Sequence, residues 1–128
     1  MEVVITPLEL SQVIAGLAQE KKATDMVLLD VQNLISYADF FILCNGSNPR
    51  QVRAIAQHIQ RTLRDVSDAG RSRGIEGLES GKWVLLDYGD VIVHVFEDAL
   101  REFYDLDALW ADAPRVPIAP PVRQVSAV

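Results

Sequence analysis

Few side chains in this sequence are of the types that break and make bonds. There is one cysteine, Cys44, and there are two histidines, His58 and His94. A nucleophile needs an adjacent base, and a metal ion needs several converging donors. The two histidines fall on different elements, so spacing meets neither condition. His58 lies beside a row of arginines and reads as a surface residue. His94 lies inside an apolar run and reads as a satisfied core histidine. Cys44 closes a strand-like run, where it reads as a small buried hydrophobe.

A second chemical possibility is a phosphate site. Asn45-Gly46-Ser47 leads into a helix and resembles the glycine-serine turn of nucleotidyltransferases, where backbone N–H groups at a helix N-terminus hold a triphosphate. Those enzymes also place a carboxylate pair on the next strand to hold magnesium. No such pair follows Gly46 on a strand. Asp105 and Asp107 fall in a terminal helical segment, and Asp87 and Asp90 flank a turn, where they cap it or face solvent. The expectation is therefore no catalytic residue, no metal and no cofactor, and a protein that acts by binding another macromolecule.

The elements that would position such a surface can be read from periodicity. Thr6, Pro7 and Glu9 form a capping box with proline at the first helical position. Leu10, Val13, Ile14 and Leu17 follow at helical spacing, and the helix ends in the charged residues Glu20, Lys21 and Lys22. Asp25 to Val31 and Phe40 to Cys44 are short apolar runs that suit buried strands. Asn48 and Pro49 are an N-cap and first helical position for a helix to about Val66. On it Val52, Ile55, Ile59, Leu63 and Val66 share one side, while Arg50, Arg53, Arg61 and Arg64 share the other. Asp68 to Gly81 is mostly loop, with a short edge strand near Ile75. Trp83 to Asp87 and Val91 to Phe96 read as a hairpin around Tyr88-Gly89-Asp90. Glu97 to Trp110 reads as one helix or two short ones, with Phe103, Leu109 and Trp110 holding the fold together. The prolines at 114, 117, 120 and 121 predict a disordered tail over 114–128.

The fold class expected is a single α/β domain over 1–113, with a mixed sheet of about five strands flanked by helices. At 128 residues and 49% hydrophobic content the chain suits one globular domain. A lone cysteine and the lack of a signal-like opening predict a cytoplasmic protein, and no run approaches the length of a membrane span. A net charge of −6 argues against wrapping nucleic acid with the whole surface. The arginine face of the second long helix is left as a local RNA contact.

The C-terminal third carries the most distinctive pattern. Trp83, Asp87, Asp90 and His94 fit Trp-x-x-x-Asp-x-x-Asp-x-x-x-His, and Arg101, Tyr104, Leu106, Leu109 and Trp110 fit Arg-x-x-Tyr-x-Leu-x-x-Leu-Trp. Together with Asn45 to Val52 they make the sequence resemble the ribosomal silencing factors of the Iojap family, from the first helix to about Ala113. The resemblance implies a nucleotidyltransferase-like sheet without that enzyme's active site. It also implies a steric mechanism: binding the fourteenth protein of the large ribosomal subunit (uL14), blocking subunit joining and lowering translation when nutrients are scarce. By the same resemblance the docking surface centres on Trp83, Tyr88 and Tyr104, and the free protein is a homodimer. Tyr88 stands where other members carry an aliphatic residue. Large aromatics suit a hot spot, and Asp87, Asp90, Glu102 and Asp105 would steer a basic partner. Two other readings are a nucleotide-binding enzyme built on Gly46-Ser47 and an assembly factor gripping RNA with the arginine face.

Overall fold

The computed structural model describes residues 5–64 and 72–119, except the side chains of Tyr104, Leu106 and Asp107. The elements run α1 (Pro7–Glu20), β1 (Thr24–Asp30), β2 (Phe40–Gly46), α2 (Pro49–Arg64), β3 (Gly74–Glu76), β4 (Trp83–Asp87), β5 (Val91–Glu97), α3 (Asp98–Tyr104), α4 (Leu106–Leu109) and β6 (Arg115–Val116). One six-stranded sheet has the order β3-β4-β5-β2-β1-β6. Only β2 and β5, its centre, run parallel; the other neighbours are antiparallel. The α/β class and mixed sheet are as the periodicity predicts, with one strand more.

Side-chain alternation divides the sheet into two faces. Leu28, Phe40, Ile42, Cys44, Val84, Leu86, Val91, Val93 and Val95 point to one face, beneath α1 and α2. There Ile14 and Leu17 of α1 meet Val52, Ile55, Ile59 and Leu63 of α2. Leu29, Phe41, Leu43, Ile92 and Phe96 point the other way, toward Leu100 of α3 and Trp110. This second layer is thinner, since α3 and α4 have seven and four residues. Along β4 it leaves Leu85 half-buried and Trp83 exposed.

Local chemistry sets the element ends. The capping box forms, with Thr6 N donating to Glu9 Oε1 and Glu9 N donating to Thr6 Oγ1, both at 3.1 Å. At α2, Gln51 N donates to Asn48 Oδ1 at 2.9 Å, the expected N-cap. The described part of α2 ends at Arg64, so Val66 lies outside the described residues. Asp87 caps the β4–β5 turn, its Oδ1 accepting from Gly89 N at 2.8 Å.

The C-terminal segment differs from the expectation. Residues 114–119 are not a free tail, because Arg115 and Val116 pair with Leu29 and Leu28 of β1. Proline lacks a donor but keeps its carbonyl. Pro114 O accepts from Asp30 N, and Pro117 O accepts from the Gln12 side chain, each at 2.9 Å. Such residues are tolerated at a sheet edge. The expected disorder of 120–128 falls outside the described residues.

Candidate docking surface

The register of the sheet places Trp83 opposite Phe96, and Phe96 opposite Asn45, along one row of the second face. The next row runs from Leu85 to His94 and Leu43. Trp83 is 40% exposed while Phe96 beside it is buried. The indole lies 5.2 Å from the Phe96 ring and 6.0 Å from the His94 ring, and its Nε1 donates to His94 Nδ1 at 3.2 Å. Phe41 continues the aromatic layer, meeting His94 edge-on at 4.9 Å and Trp110 edge-on at 4.8 Å. An apolar groove of about 350 Å³ opens beside the indole, lined by Glu76, Gly77, Trp83 and Leu85. Gly77 permits this approach. Its φ is +83°, and a Cβ there would stand 1.9 Å from the Trp83 carbonyl oxygen.

A second cleft, of about 760 Å³, adjoins the same end of the sheet. Its walls carry four carboxylates, Asp25, Asp98, Glu102 and Asp105, against the guanidinium groups of Arg101 and Arg115. Arg101 is buried and ties the layers together: it donates to Asn45 Oδ1 at 2.8 Å and to the Asp25 carbonyl, and lies 6.0 Å from the centre of the Phe96 ring. Sequence reasoning gave Arg101 and Phe96 no such role. The period-two spacing of Ile92, His94 and Phe96 against Trp83 and Leu85 was the available signal.

The expected site residues therefore separate. Trp83, Glu102 and Asp105 come to one end of the sheet, whereas Asp87, Tyr88 and Asp90 lie at the other end of β4, roughly 13 Å away along the strand. Tyr88 is only 6% exposed and packs in the layer under α1 and α2. It continues the parity of Val84 and Leu86, not that of Trp83, so its side chain does not form part of the exposed surface. Burial pushes its phenol up to about 12. The side chain of Tyr104 lies outside the described ones. Phe103 and Leu109, expected to stiffen the fold, are instead 80% and 68% exposed, whereas Leu100 and Arg101 of α3 turn toward the sheet. Trp110 does pack inward, against Phe41.

The glycine-serine turn is occupied by the fold itself. Ser47 N and Oγ both donate to Gln51 Oε1 at 2.7 Å, and a Cβ on Gly46 would meet Val52 N at 2.9 Å. Gly46 thus serves the close approach of β2 to α2. Arg50, Arg61 and Arg64 are exposed along α2, on the opposite layer from Trp83, while Arg53 donates to the Glu79 carbonyl at 3.3 Å. Among the described residues no cluster of three or more His, Cys, Asp and Glu side chains could hold a metal ion. No described helix is long and apolar enough to cross a membrane.

This geometry defines an α/β domain with one aromatic patch left open on a sheet face beside a cleft lined by four carboxylates and two arginines. The family model described as "Ribosomal silencing factor during starvation" matches residues 5–127. The ribosomal silencing factor of Halalkalibacterium halodurans is 39% identical over 84% of this chain and 91% of its own length. That of Bacillus subtilis is 38% identical over 80% and 86%. A crystal structure of a Chromobacterium violaceum protein superposes with a TM-score of 0.79 at 34% identity, covering 93% of this chain and 98% of that one. The chain belongs to the ribosomal silencing factor family.

Proposed function

We propose that this protein silences translation by docking on the large ribosomal subunit at its fourteenth protein and sterically blocking subunit joining under nutrient limitation. The carrying observation is the half-exposed Trp83 indole at the uncovered end of the sheet face. A large aromatic backed by a rigid layer is the kind of residue that anchors an interface. The acidic cleft beside it suits a basic ribosomal protein and would act mainly by steering approach. Glu102 and Asp105 line that cleft, and this reading assigns Tyr104 of α3 to the same surface; Asp87 and Asp90 would act only at longer range. Self-association of the free protein is part of the same reading.

Gradient sedimentation with separated subunits tests it. The protein should travel with large subunits and reduce their joining to small ones. Trp83→Ala should weaken that binding by roughly 30-fold or more, since truncating a hot-spot aromatic costs on the order of 2 kcal/mol. A folded Trp83→Ala, Tyr104→Ala double variant that co-sediments like the parent would sink the proposed surface. An RNA grip by Arg50, Arg61 and Arg64 predicts instead a steep salt dependence that their replacement abolishes.

A further inference from the structure

His94 is an unusual choice for its position. It occupies a central strand in an apolar run, 8% exposed, with Leu85 and Leu43 beside it across the ladder. A β-branched or aromatic residue would fill such a site without a polar atom. Its ring is held edge-on to Phe41 at 4.9 Å and stacked with Phe96 at 5.9 Å, the planes 9° apart. Burial pushes its pKa down to about 4, so the ring is neutral near pH 7. An indole nitrogen can only donate, so Nδ1, which receives the Trp83 Nε1–H at 3.2 Å, is the bare nitrogen and the proton sits on Nε2. Nε2 is buried without a hydrogen-bond partner. An unmet buried donor is unfavourable. What the imidazole supplies in return is an acceptor aimed at Trp83.

We propose that His94 is a positioning residue for the docking surface, its Nδ1 fixing the orientation of the half-exposed Trp83 indole so that the tryptophan meets its ribosomal partner already ordered. The inference rests on the reading of Trp83 as the docking anchor. An exposed aromatic samples several rotamers, and an interface that needs one of them loses affinity to that ordering. The hydrogen bond from one ring edge, together with the Phe96 contact at 5.2 Å, removes the freedom before binding. The clamps on His94 itself make it a rigid anchor, and the partner meets the indole's other edge.

The test uses a Trp110→Phe background, in which Trp83 is the sole indole. His94→Phe keeps a ring in the aromatic layer and removes the acceptor. His94→Asn restores an acceptor, because its amide oxygen stands the same number of bonds from the backbone as Nδ1. Three quantities are read: the indole N–H resonance of the free protein, its thermal midpoint, and its affinity for purified large subunits. In His94→Phe the resonance should move and exchange faster with solvent, and affinity should fall about tenfold, the scale of ordering one large side chain. His94→Asn should recover part of both even where its midpoint is lower. His94→Phe that binds like the parent overturns the role, and so do losses in both variants that follow their midpoints while the indole resonance stays put. Trp83→Ala separates the two levels: normal binding by that variant removes the docking reading itself, whereas its failure beside an intact His94→Phe removes only the positioning role.

Discussion

Tyr88 and Trp83 lie five residues apart on one hairpin, and they end on opposite faces of the sheet. The phenol of Tyr88 is packed under α1 and α2, and its hydroxyl is buried without a partner. Removing a hydroxyl that has no hydrogen bond relieves a desolvation cost and leaves the ring's packing intact. Tyr88→Phe is therefore expected to keep or raise the unfolding free energy, by up to about 1 kcal/mol in urea titrations. Large-subunit binding should not change. A clear loss of binding with unchanged stability would return Tyr88 to the docking surface.

Short side-chain contacts close the start of α1 and join α2 to the end of α1. Thr6 and Glu9 close the N-terminus of α1 reciprocally. Gln51 in the first turn of α2 accepts from Ser47 and donates to the Lys21 and Lys22 carbonyls at 3.2 Å, linking the start of α2 to the end of α1. Thr6→Ala is expected to lower stability by about 1 kcal/mol, seen as an earlier urea midpoint with an unchanged slope. Ribosome binding should survive, because α1 lies on the layer away from Trp83. By contrast, the Glu20–His58 pair at 3.0 Å is a surface contact between α1 and α2 and contributes little.

Acid should weaken the whole molecule through His94. Its folded pKa is about 4, below the ordinary 6.5. Above pH 6.5 the ring is neutral in both states and imposes no penalty. Between pH 6.5 and about 4 the unfolded chain takes up a proton that the native state refuses, so stability falls as pH falls. Over the full window the loss is about 3 kcal/mol. Urea unfolding at pH 7 and pH 5 should show the slope, and His94→Phe should flatten it. An equal slope in the variant would assign the acid sensitivity to the carboxylates.

The sequence alone determined the α/β class, both long helices with their caps, and the hairpin that carries Trp83. These are local properties: period 3.6 or 2 in the apolar residues, and capping side chains three residues from their targets. Its motifs also placed the chain in its family. Parity along β4 even contained the burial of Tyr88, which continues Val84 and Leu86. The tertiary structure alone decided which side of the sheet would be left open. That is a matter of packing between segments distant in sequence. The same holds for Arg101, whose partners Asp25 and Asn45 lie 76 and 56 residues away. It holds again for β6, which pairs because β1 offers an edge, and for the imidazole beside Trp83, which only the register of β4 on β5 brings within reach.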